Sequence, residues 1–310
     1  MLLGVPLRSR RRSPGRSFVI GVVGIALLAG IVVLLVPAVL GVLGSSGSVI
    51  GSLLPWLALL LVPVAGAALG TRSKRLAVLS LAFAAAWAVA VLPGVLAPGT
   101  SGSPQLTVVT ENIEAANPDP AATARSIAAR DPDVIALEEL TQTSGTAVAG
   151  VLDERYPHHY RVGSIGVWSR TTLRDGEPLT LGLGWARALR VTVDTGVGDV
   201  RLYVVHMDSL RLGGEDGRPR MLASLTEAVR DDESERLVVA GDFNGGAADP
   251  EMLPLTRMLD EGGGFGATWP AQLPVVRIDH VFTRGLGTTS TEVLPANGSD
   301  HRGVLVGLRR

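Results

Sequence analysis

Three long apolar runs without a charged residue occupy most of the first 96 positions, and they restrict what this chain can fold into. They cover residues 18–43, 49–69 and 76–96. A helix needs about 20 consecutive apolar residues to cross the hydrocarbon core of a bilayer. Such a helix satisfies its own backbone N–H and C=O groups by internal hydrogen bonds, because lipid offers these groups no partners. The sequence therefore predicts three transmembrane helices within residues 18–96.

Charge is distributed unevenly along the chain. Residues 1–99 contain no Asp or Glu, whereas residues 100–310 hold all 29 acidic residues and 20 of the 28 basic ones, a net charge of −9. This asymmetry is typical of a membrane-associated arm joined to a water-exposed domain. Basic residues cluster in residues 1–17 and between the second and third runs. The positive-inside rule places both clusters in the cytoplasm and everything after residue 96 outside.

Composition also indicates how the segments around these runs are organised. A cleaved signal peptide is the competing interpretation of residues 8–43, but the first run is too long for an ordinary signal and two more runs follow it. Residues 97–105 are rich in Pro, Gly and Ser and predict a flexible linker. Residues 106–310 are numerous enough to form one domain, and because the chain has no cysteine, that domain depends on its core instead of disulfides.

Short polar segments follow apolar, β-branched runs in the last two-thirds of the chain. Each alone is typical of a turn or a surface loop, because Asp and Asn beside Gly are common turn residues. Their combination at the ends of predicted strands instead indicates one cleft where distant residues converge. The residues are Asn112, Glu139, His206, Asp242 and Asn244 of Gly-Asp-Phe-Asn, Asp279, and Asp300 and His301 of Ser-Asp-His.

This ordered set resembles the endonuclease/exonuclease/phosphatase superfamily, the Mg²⁺-dependent phosphohydrolases related to DNase I, over about residues 105–310. The resemblance implies an α/β fold, a two-sheet α/β sandwich with helices outside, here preceded by three transmembrane helices. The sequence fits that expectation with eight predicted strands and two predicted helices, one opening at Asp119-Pro120 and one at residues 221–230. The whole arrangement is similar to actinomycete teicoplanin-resistance membrane proteins, which suggests a role in antibiotic resistance.

The resemblance also implies a metal site. Glu139 matches the family's principal ligand, Asn112 matches the amide that supports the metal, and Asp300 is expected beside the metal or behind its ligands. The expected cofactor is Mg²⁺, with Mn²⁺ as an alternative. A carboxylate or two with several retained waters is the set that Mg²⁺ prefers.

The remaining residues match the family's catalytic groups. Asp242 is expected to orient or deprotonate the attacking water, with Asn244 helping to hold that oxygen. His301 is expected to donate to the scissile phosphate while Asp279 fixes its ring, a charge-assisted hydrogen bond. His206 is expected to contact another phosphoryl oxygen. Together these groups would stabilise the charge that develops in phosphoryl transfer.

The sequence departs from the family's pattern at two positions. Glu111 and Glu138 stand where many relatives have an aromatic residue and a glutamine, and we expect them to make the rim of the cleft more negative. Trp168 and Trp269 also lie in family-like segments, and core packing is the expected role for both.

These observations favour a membrane-anchored, extracytoplasmic, Mg²⁺-dependent phosphoester hydrolase of the cell membrane. A lipid-linked phosphate or pyrophosphate is the expected substrate, because the domain lies beside a bilayer and its net charge of −9 disfavours nucleic acid. Two alternatives stay open: an extracellular nuclease, and a catalytically inactive binding module. The complete set of catalytic residue types argues against the inactive module.

Overall fold

The computed structural model of the chain describes residues 14–96, 99–211, 217–262, 264 and 266–310. Residues 1–13 of the predicted basic N-terminus and residues 97–98 of the predicted linker lie outside the described residues. The chain divides into two compact units, one made of residues up to 36 together with 55–91, and one made of residues 37–54 and 92–310.

The first unit contains the apolar helices. Three of the described helices are long and apolar enough to span a membrane: Pro14–Leu35 (α1), Leu54–Thr71 and Lys74–Leu96 (α4). The middle one begins as the 3-10 helix Leu54–Leu60 and continues as α3 (Leu61–Thr71). The Trp87 indole N–H donates to the Pro55 carbonyl oxygen over 3.0 Å, linking two of these helices.

The observed helices differ from the predicted runs between residues 36 and 54. α1 ends at Leu35, because Val36 precedes Pro37 and a residue before proline is disfavoured in the helical conformation. A 3-10 helix (Pro37–Leu43) and α2 (Ser45–Ser52) follow. Hydropathy had assigned residues 37–43 and 49–53 to transmembrane helices, but residues 37–54 belong to the same compact unit as residues 92–310.

Among the described residues, two six-stranded mixed sheets form the second unit together with α2, its preceding 3-10 helix and four further α-helices. The first sheet has the order β11-β12-β1-β2-β4-β3 and the second β5-β6-β7-β8-β10-β9. The strands are β1 (Leu106–Asn112), β2 (Val134–Glu138), β3 (His158–Val162), β4 (Ile165–Ser169), β5 (Leu173–Leu179), β6 (Ala188–Thr195), β7 (Gly198–His206), β8 (Leu237–Asp242), β9 (Asp260–Glu261), β10 (Asp279–Arg284), β11 (Gly287–Val293) and β12 (Val304–Arg309). The helices are α5 (Pro120–Ala128), α6 (Gln142–Leu152), α7 (Arg218–Asp231) and α8 (Leu253–Thr256).

The sheets pack face to face, and helices cover their outer faces. Alternate residues of the central strands point to opposite faces, so that Val108 joins the core between the sheets while Val109 packs under α5 and α6. In the second sheet, Val204 faces the core between the sheets and Val205 packs under α7. Because these strands are buried on both faces, they read as continuous apolar runs. The predicted two-sheet α/β sandwich is confirmed.

Both predicted helices of this unit are present. The Asp119 side chain accepts the Ala122 N–H at 2.9 Å, which caps the start of α5 as Asp-Pro predicts. The eight predicted strands also form, most of them a residue or two longer than expected. β3, β5, β9 and β11 were not predicted, because their side chains are largely half-buried or exposed and give little apolar periodicity.

Candidate active site

Sheet topology brings the predicted residues to one end of the sandwich. β1 and β2 are parallel, as are β7 and β8, so the carboxyl ends of each pair lie side by side. His206 is paired in register with Asp242, and Asp279, at the start of antiparallel β10, also pairs with Asp242. The chain reaches the same end before β12, which runs antiparallel to β1 and pairs Val304 with Thr110.

Asn112 links the two sheets at this end. Its Nδ2 donates to Glu139 Oε1 over 3.1 Å and to Asp242 Oδ2 over 3.0 Å. Its Oδ1 accepts the Glu114 N–H at 3.0 Å. Asn112 therefore acts here as a donor that holds two carboxylates in place, and its amide oxygen is already engaged.

Glu139 is the carboxylate that opens to solvent, with 32% of its side chain exposed. Its φ of 58° lies in the left-handed region, which non-glycine residues rarely adopt. Burial raises the pKa of Glu139, but hydrogen bonds from the Ala115 N–H and Asn112 outweigh this and hold the pKa below its usual value. The group is therefore an anion at neutral pH.

Asp242 is almost completely buried next to it. The Asn244 N–H donates to Asp242 Oδ1 over 2.8 Å, and Asn244 Nδ2 lies 3.3 Å from Oδ2 and donates to the Met207 carbonyl at 3.0 Å. Burial, followed by repulsion from Asp279, raises the pKa of Asp242 to about 7. A carboxylate with that pKa can accept a proton near neutral pH.

His301 and Asp279 form a buried pair. His301 Nδ1 lies 3.1 and 3.0 Å from the two Asp279 carboxylate oxygens, and Nε2 lies 3.9 Å from Asp242 Oδ2. Burial lowers the pKa of His301, but attraction to Asp279 and Asp242 outweighs it and raises the pKa to about 10. The ring is therefore cationic at neutral pH, and Nε2 is available as a donor.

His206 has the opposite character. Burial and the neighbouring Arg187 lower the pKa of His206 to about 4, so this ring is neutral. Nε2 of His206 lies 3.6 Å from Glu139 Oε1 and 3.8 Å from Asp242 Oδ2. Arg187 Nη2 lies 3.0 and 3.1 Å from the two ring nitrogens, and Nη1 donates to Asp208 Oδ1 over 2.6 Å. Arg187 was not predicted, because it is one of many arginines that lie outside any motif.

Glu111 and Glu138 do not lie on the rim of the cleft, and the expectation that they make it more negative is wrong. Both are fully buried. Burial raises the pKa of Glu111 to about 8 and raises the pKa of Glu138 well above its usual value. Glu138 Oε1 accepts the Thr110 hydroxyl at 2.9 Å. Burial therefore disfavours the charged form of both acids, and neither side chain reaches the rim of the cleft.

The two tryptophans behave differently from each other. Trp168 is completely buried, as expected, and its indole N–H donates to Asp153 Oδ1 over 3.0 Å. Trp269 is 40% exposed, so the expected core role is wrong for it. Its indole N–H donates to Asp300 Oδ2 over 3.2 Å, and Asp300 Oδ1 lies 4.0 Å from His301 Nε2. Asp300 therefore joins the site next to His301 and holds Trp269.

Part of this cluster lines a groove of about 640 Å³. Its polar residues include Glu139, Asp242, Asn244, Asp300 and His301. Its apolar residues are Val49, Leu53, Leu210, Trp269, Pro270, Val275, Val276 and Ile278.

The donor set suits a hard divalent cation. Asp242, Asp279 and His301 offer ligand atoms within 4.8 Å of one another, so this buried group could hold a metal ion. The ring of His301 is cationic and bonded to Asp279, however, which disfavours it as a ligand. Glu139 is anionic, reaches the groove and shares Asn112 with Asp242, so oxygen ligands centred on Glu139 fit Mg²⁺ better.

Residues 109–301, more than half of the chain, match the sequence profile of the Endonuclease/Exonuclease/phosphatase family. No curated protein matches the chain. The finer resemblance to teicoplanin-resistance membrane proteins, and with it a role in antibiotic resistance, stays a prediction.

Solved structures of diverse proteins share the fold. Beta toxin from Staphylococcus aureus, a mutant with bound magnesium ions, is 13% identical with a TM-score of 0.53, over 66% of this chain and 99% of that one. D. rerio TDP2, complexed with single strand DNA product, is 17% identical with a TM-score of 0.56, over 66% and 99%. Sphingomyelinase C from Streptomyces griseocarneus is 18% identical with a TM-score of 0.51, over 67% and 99%. At these identities the likeness shows the fold alone.

Proposed function

Because this chain belongs to the endonuclease/exonuclease/phosphatase family, we propose that it is a membrane-anchored, metal-dependent hydrolase of a lipid-linked phosphate or pyrophosphate. Members of the family are typically metal-dependent phosphoester hydrolases. The observation that carries the proposal is a pair of side chains that line one open groove: Asp242, a carboxylate whose pKa lies near 7, and His301, which is cationic.

The proposed chemistry divides between these two side chains. Asp242 accepts the proton of the attacking water, and Asn112 and Asn244 fix its carboxylate by hydrogen bonds. His301 donates from Nε2 to a phosphoryl oxygen, and Asp279 keeps that ring protonated and oriented through Nδ1. His206 is neutral and offers a ring N–H to a second phosphoryl oxygen. These interactions strengthen as charge develops on the phosphoryl group in the transition state.

Glu139 would hold the metal ion, with Asn112 keeping its carboxylate in place. A bound divalent cation would neutralise charge on the phosphoryl oxygens.

Two observations support a lipid-linked substrate. Three helices precede the domain that are long and apolar enough to span a membrane. Residues 100–310 carry a net charge of −9, which repels a long polyanion. This formal charge counts Glu111 and Glu138, which are buried with raised pKa values, so the charge that a substrate meets is less negative than −9.

A nuclease is the second candidate. TDP2 shares the fold in a complex with single strand DNA product, and nothing in the catalytic groups themselves selects a lipid over a nucleotide. The comparison to make is phosphate release from polyprenyl pyrophosphate and from phosphatidic acid in detergent micelles against nicking of plasmid DNA, at matched enzyme and Mg²⁺. We expect lipid turnover to dominate; DNA cleavage without lipid turnover would reverse the assignment.

The site itself is tested in the same assays. Asp242→Asn and His301→Ala should each lower turnover by about 10²–10⁴-fold, the usual contribution of a general acid or base. Glu139→Ala and chelation by EDTA should abolish turnover, with Mg²⁺ or Mn²⁺ restoring the chelated wild type. Asp199→Asn is the matched control, because Asp199 is an exposed carboxylate at the start of β7, whereas His206 ends that strand. Small and equal losses in all variants with intact folding would indicate a binding module.

A further inference from the structure

Residues 37–54, which we term the connector, are part of the catalytic unit although they precede it by two apolar helices in the sequence. One end of the connector follows the candidate span Pro14–Leu35, and the other end leads directly into the candidate span Leu54–Thr71. A segment tied at both ends to membrane-spanning helices stays at the membrane surface. With both candidate helices across a membrane, as we propose, the connector would tie the active-site groove to that surface.

Specific polar contacts attach α2 of the connector to the loop after Asn244. Ser48 Oγ donates to Asp249 Oδ1 over 2.8 Å, and the Gly246 N–H donates to Ser52 Oγ over 2.8 Å. Ser48 and Asp249 are both fully buried. Each of these bonds satisfies a group that would otherwise be costly to bury.

The packing between α2 and this loop is close. The buried face of α2 consists of Gly47, Ser48 and Gly51. A Cβ added to Gly51 would lie 2.8 Å from the Ala248 carbonyl oxygen, and a Cβ added to Gly246 would lie 2.9 Å from Ser52 Cα. Small residues on both sides thus permit backbone contact.

A buried ion pair extends this attachment to the catalytic strand end. Asp249 Oδ2 lies 2.7 Å from Arg218 Nη2, and neither side chain is exposed. Arg218 Nε donates to the Phe243 carbonyl oxygen over 2.8 Å. Phe243 stands between Asp242 and Asn244, so the connector is joined to the catalytic carboxylate through two side chains.

The connector also supplies one side of the groove. Val49 and Leu53 line it together with Ser52, in the same groove as Glu139 and Asp242. Trp269 and Val275 add apolar surface, and they are 40% and 37% exposed. A phosphoryl group needs polar partners, so this apolar lining is suited to a different part of the substrate. Hydrocarbon is the group that gains from leaving water against such a surface.

We propose that the connector binds the hydrocarbon chain of the substrate, with Leu53 and Val49 as its contacts, while the phosphate lies at Asp242 and His301. The substrate is then a phosphate ester or pyrophosphate that carries an apolar chain and is drawn from the membrane surface. This inference rests on the proposed function, because it assigns the part of the same substrate that the catalytic residues do not contact.

The kinetic test uses the full chain in detergent with substrates that share a head group and differ in chain length. Leu53→Asn and Val49→Asn should each lower kcat/KM for the long-chain substrate about tenfold more than for the short-chain one, equivalent to about 1.4 kcal/mol. Ile50→Asn is the matched control. Ile50 is an exposed residue of α2, next to Val49, and it does not line the groove. If Ile50→Asn changed chain-length selectivity as much as Leu53→Asn, the inference would be overturned.

A binding measurement separates failure of this inference from failure of the proposed function. A long-chain alkyl phosphonate with a diazirine on the chain near its head group cannot be hydrolysed and labels whatever the chain contacts. We expect the label on residues 49–53, reduced by Leu53→Asn and unchanged by Ile50→Asn. Label confined to other segments would refute the inference even if the protein hydrolyses lipids. Label on residues 49–53 without hydrolysis of any phosphoester would support it and refute the proposed function.

Two classes of membrane lipid combine a phosphate or pyrophosphate with an apolar chain. Polyprenyl pyrophosphate and diacyl phosphatidic acid form separate arms of the kinetic test. In either arm, a larger loss of kcat/KM in Leu53→Asn for the long-chain than for the short-chain substrate supports the inference, and the arm with the higher wild-type kcat/KM identifies the source. A wild-type preference for the short-chain ester in both arms would overturn it.

Discussion

At the scale of single residues, three glutamates near the ends of β1 and β2 differ through burial. Glu139 is partly exposed and held as an anion by hydrogen bonds, whereas Glu111 and Glu138 are fully buried and their pKa values are raised. The sequence shows all three as carboxylates after apolar strands and cannot distinguish them. The left-handed backbone at Glu139 turns its side chain out of the alternation of β2 and towards the groove.

Glu111 makes the stability of the fold depend on pH. Its pKa rises from 4.5 to about 8 on folding, so between these values the unfolded chain loses a proton that the folded chain keeps. Stability from this group is therefore full below about pH 4.5 and falls as pH rises towards 8. Glu111→Gln should leave thermal unfolding nearly unchanged at about pH 5 and raise the unfolding temperature at about pH 8. Parallel curves for wild type and variant would show that Glu111 is ionised in the fold.

In the proposed mechanism, Asp279 acts on the substrate through His301. Asp279→Asn removes the charge that raises the pKa of His301, so the ring loses its proton at lower pH. We expect the alkaline limb of the pH–rate profile to move to lower pH, with a smaller loss of turnover at acidic pH than in His301→Ala. The measurement is kcat/KM across pH for both variants. An unshifted alkaline limb in Asp279→Asn would assign that limb to another group.

At the scale of elements, what the sequence predicts is where strands end. Short apolar runs followed by Asn112, Glu139, His206 and Asp242 identified β1, β2, β7 and β8, and the parallel pairing of these strands explains why the four side chains meet. Arg187 and the connector were not predicted, because their roles come from contacts between residues far apart in sequence. Hydropathy also could not separate α2 from a membrane span. Apolar residues such as Val49, Ile50 and Leu53 are equally compatible with a bilayer and with packing against a protein domain.

The N-terminal end of α7 anchors the loop after β8 through Arg218. Its guanidinium is fully buried and lies 2.7 Å from Asp249 Oδ2 and 2.8 Å from Glu251 Oε2. Arg218→Met should destabilise the fold by about 3–5 kcal/mol, because it leaves a buried carboxylate without its cation. Chemical denaturation measures this, with Arg220→Met as the control, an exposed arginine of the same helix. Adding Asp249→Asn to Arg218→Met should recover part of the loss, and no recovery would contradict the charge explanation.

At the scale of the whole molecule, the connector and residues 92–310 form one compact unit, so both lie on one side of any membrane that the apolar helices cross. Three spans meet this condition, because the connector follows the first span and residues 99–310 follow the third. The basic residues agree with it, since they cluster before the first span and between the second and third, on the other side of the membrane. The side itself stays a prediction: the positive-inside rule places this unit outside the cell.

The chain has no cysteine, which allows a direct test of the side. Ser46→Cys places a thiol on the exposed surface of the connector, and Ser73→Cys places one between the second and third candidate spans. A membrane-impermeant maleimide added to intact cells should label Ser46→Cys and not Ser73→Cys, whereas permeabilised cells should show both. The opposite pattern in intact cells would reverse the proposed orientation.

Since the connector completes the groove, no single cleavage point separates the candidate spans from the residues that line the whole groove. Protein that starts at residue 99 keeps the catalytic groups but lacks Ser48, Ser52 and Leu53, and so it is one fragment of a split protein. A synthetic peptide of residues 37–54 should reassociate with it in trans, restore chain-length selectivity and protect the loop at residues 245–249 from proteolysis. A soluble version for crystallisation would then come from circular permutation, with the connector sequence attached through a linker after residue 310.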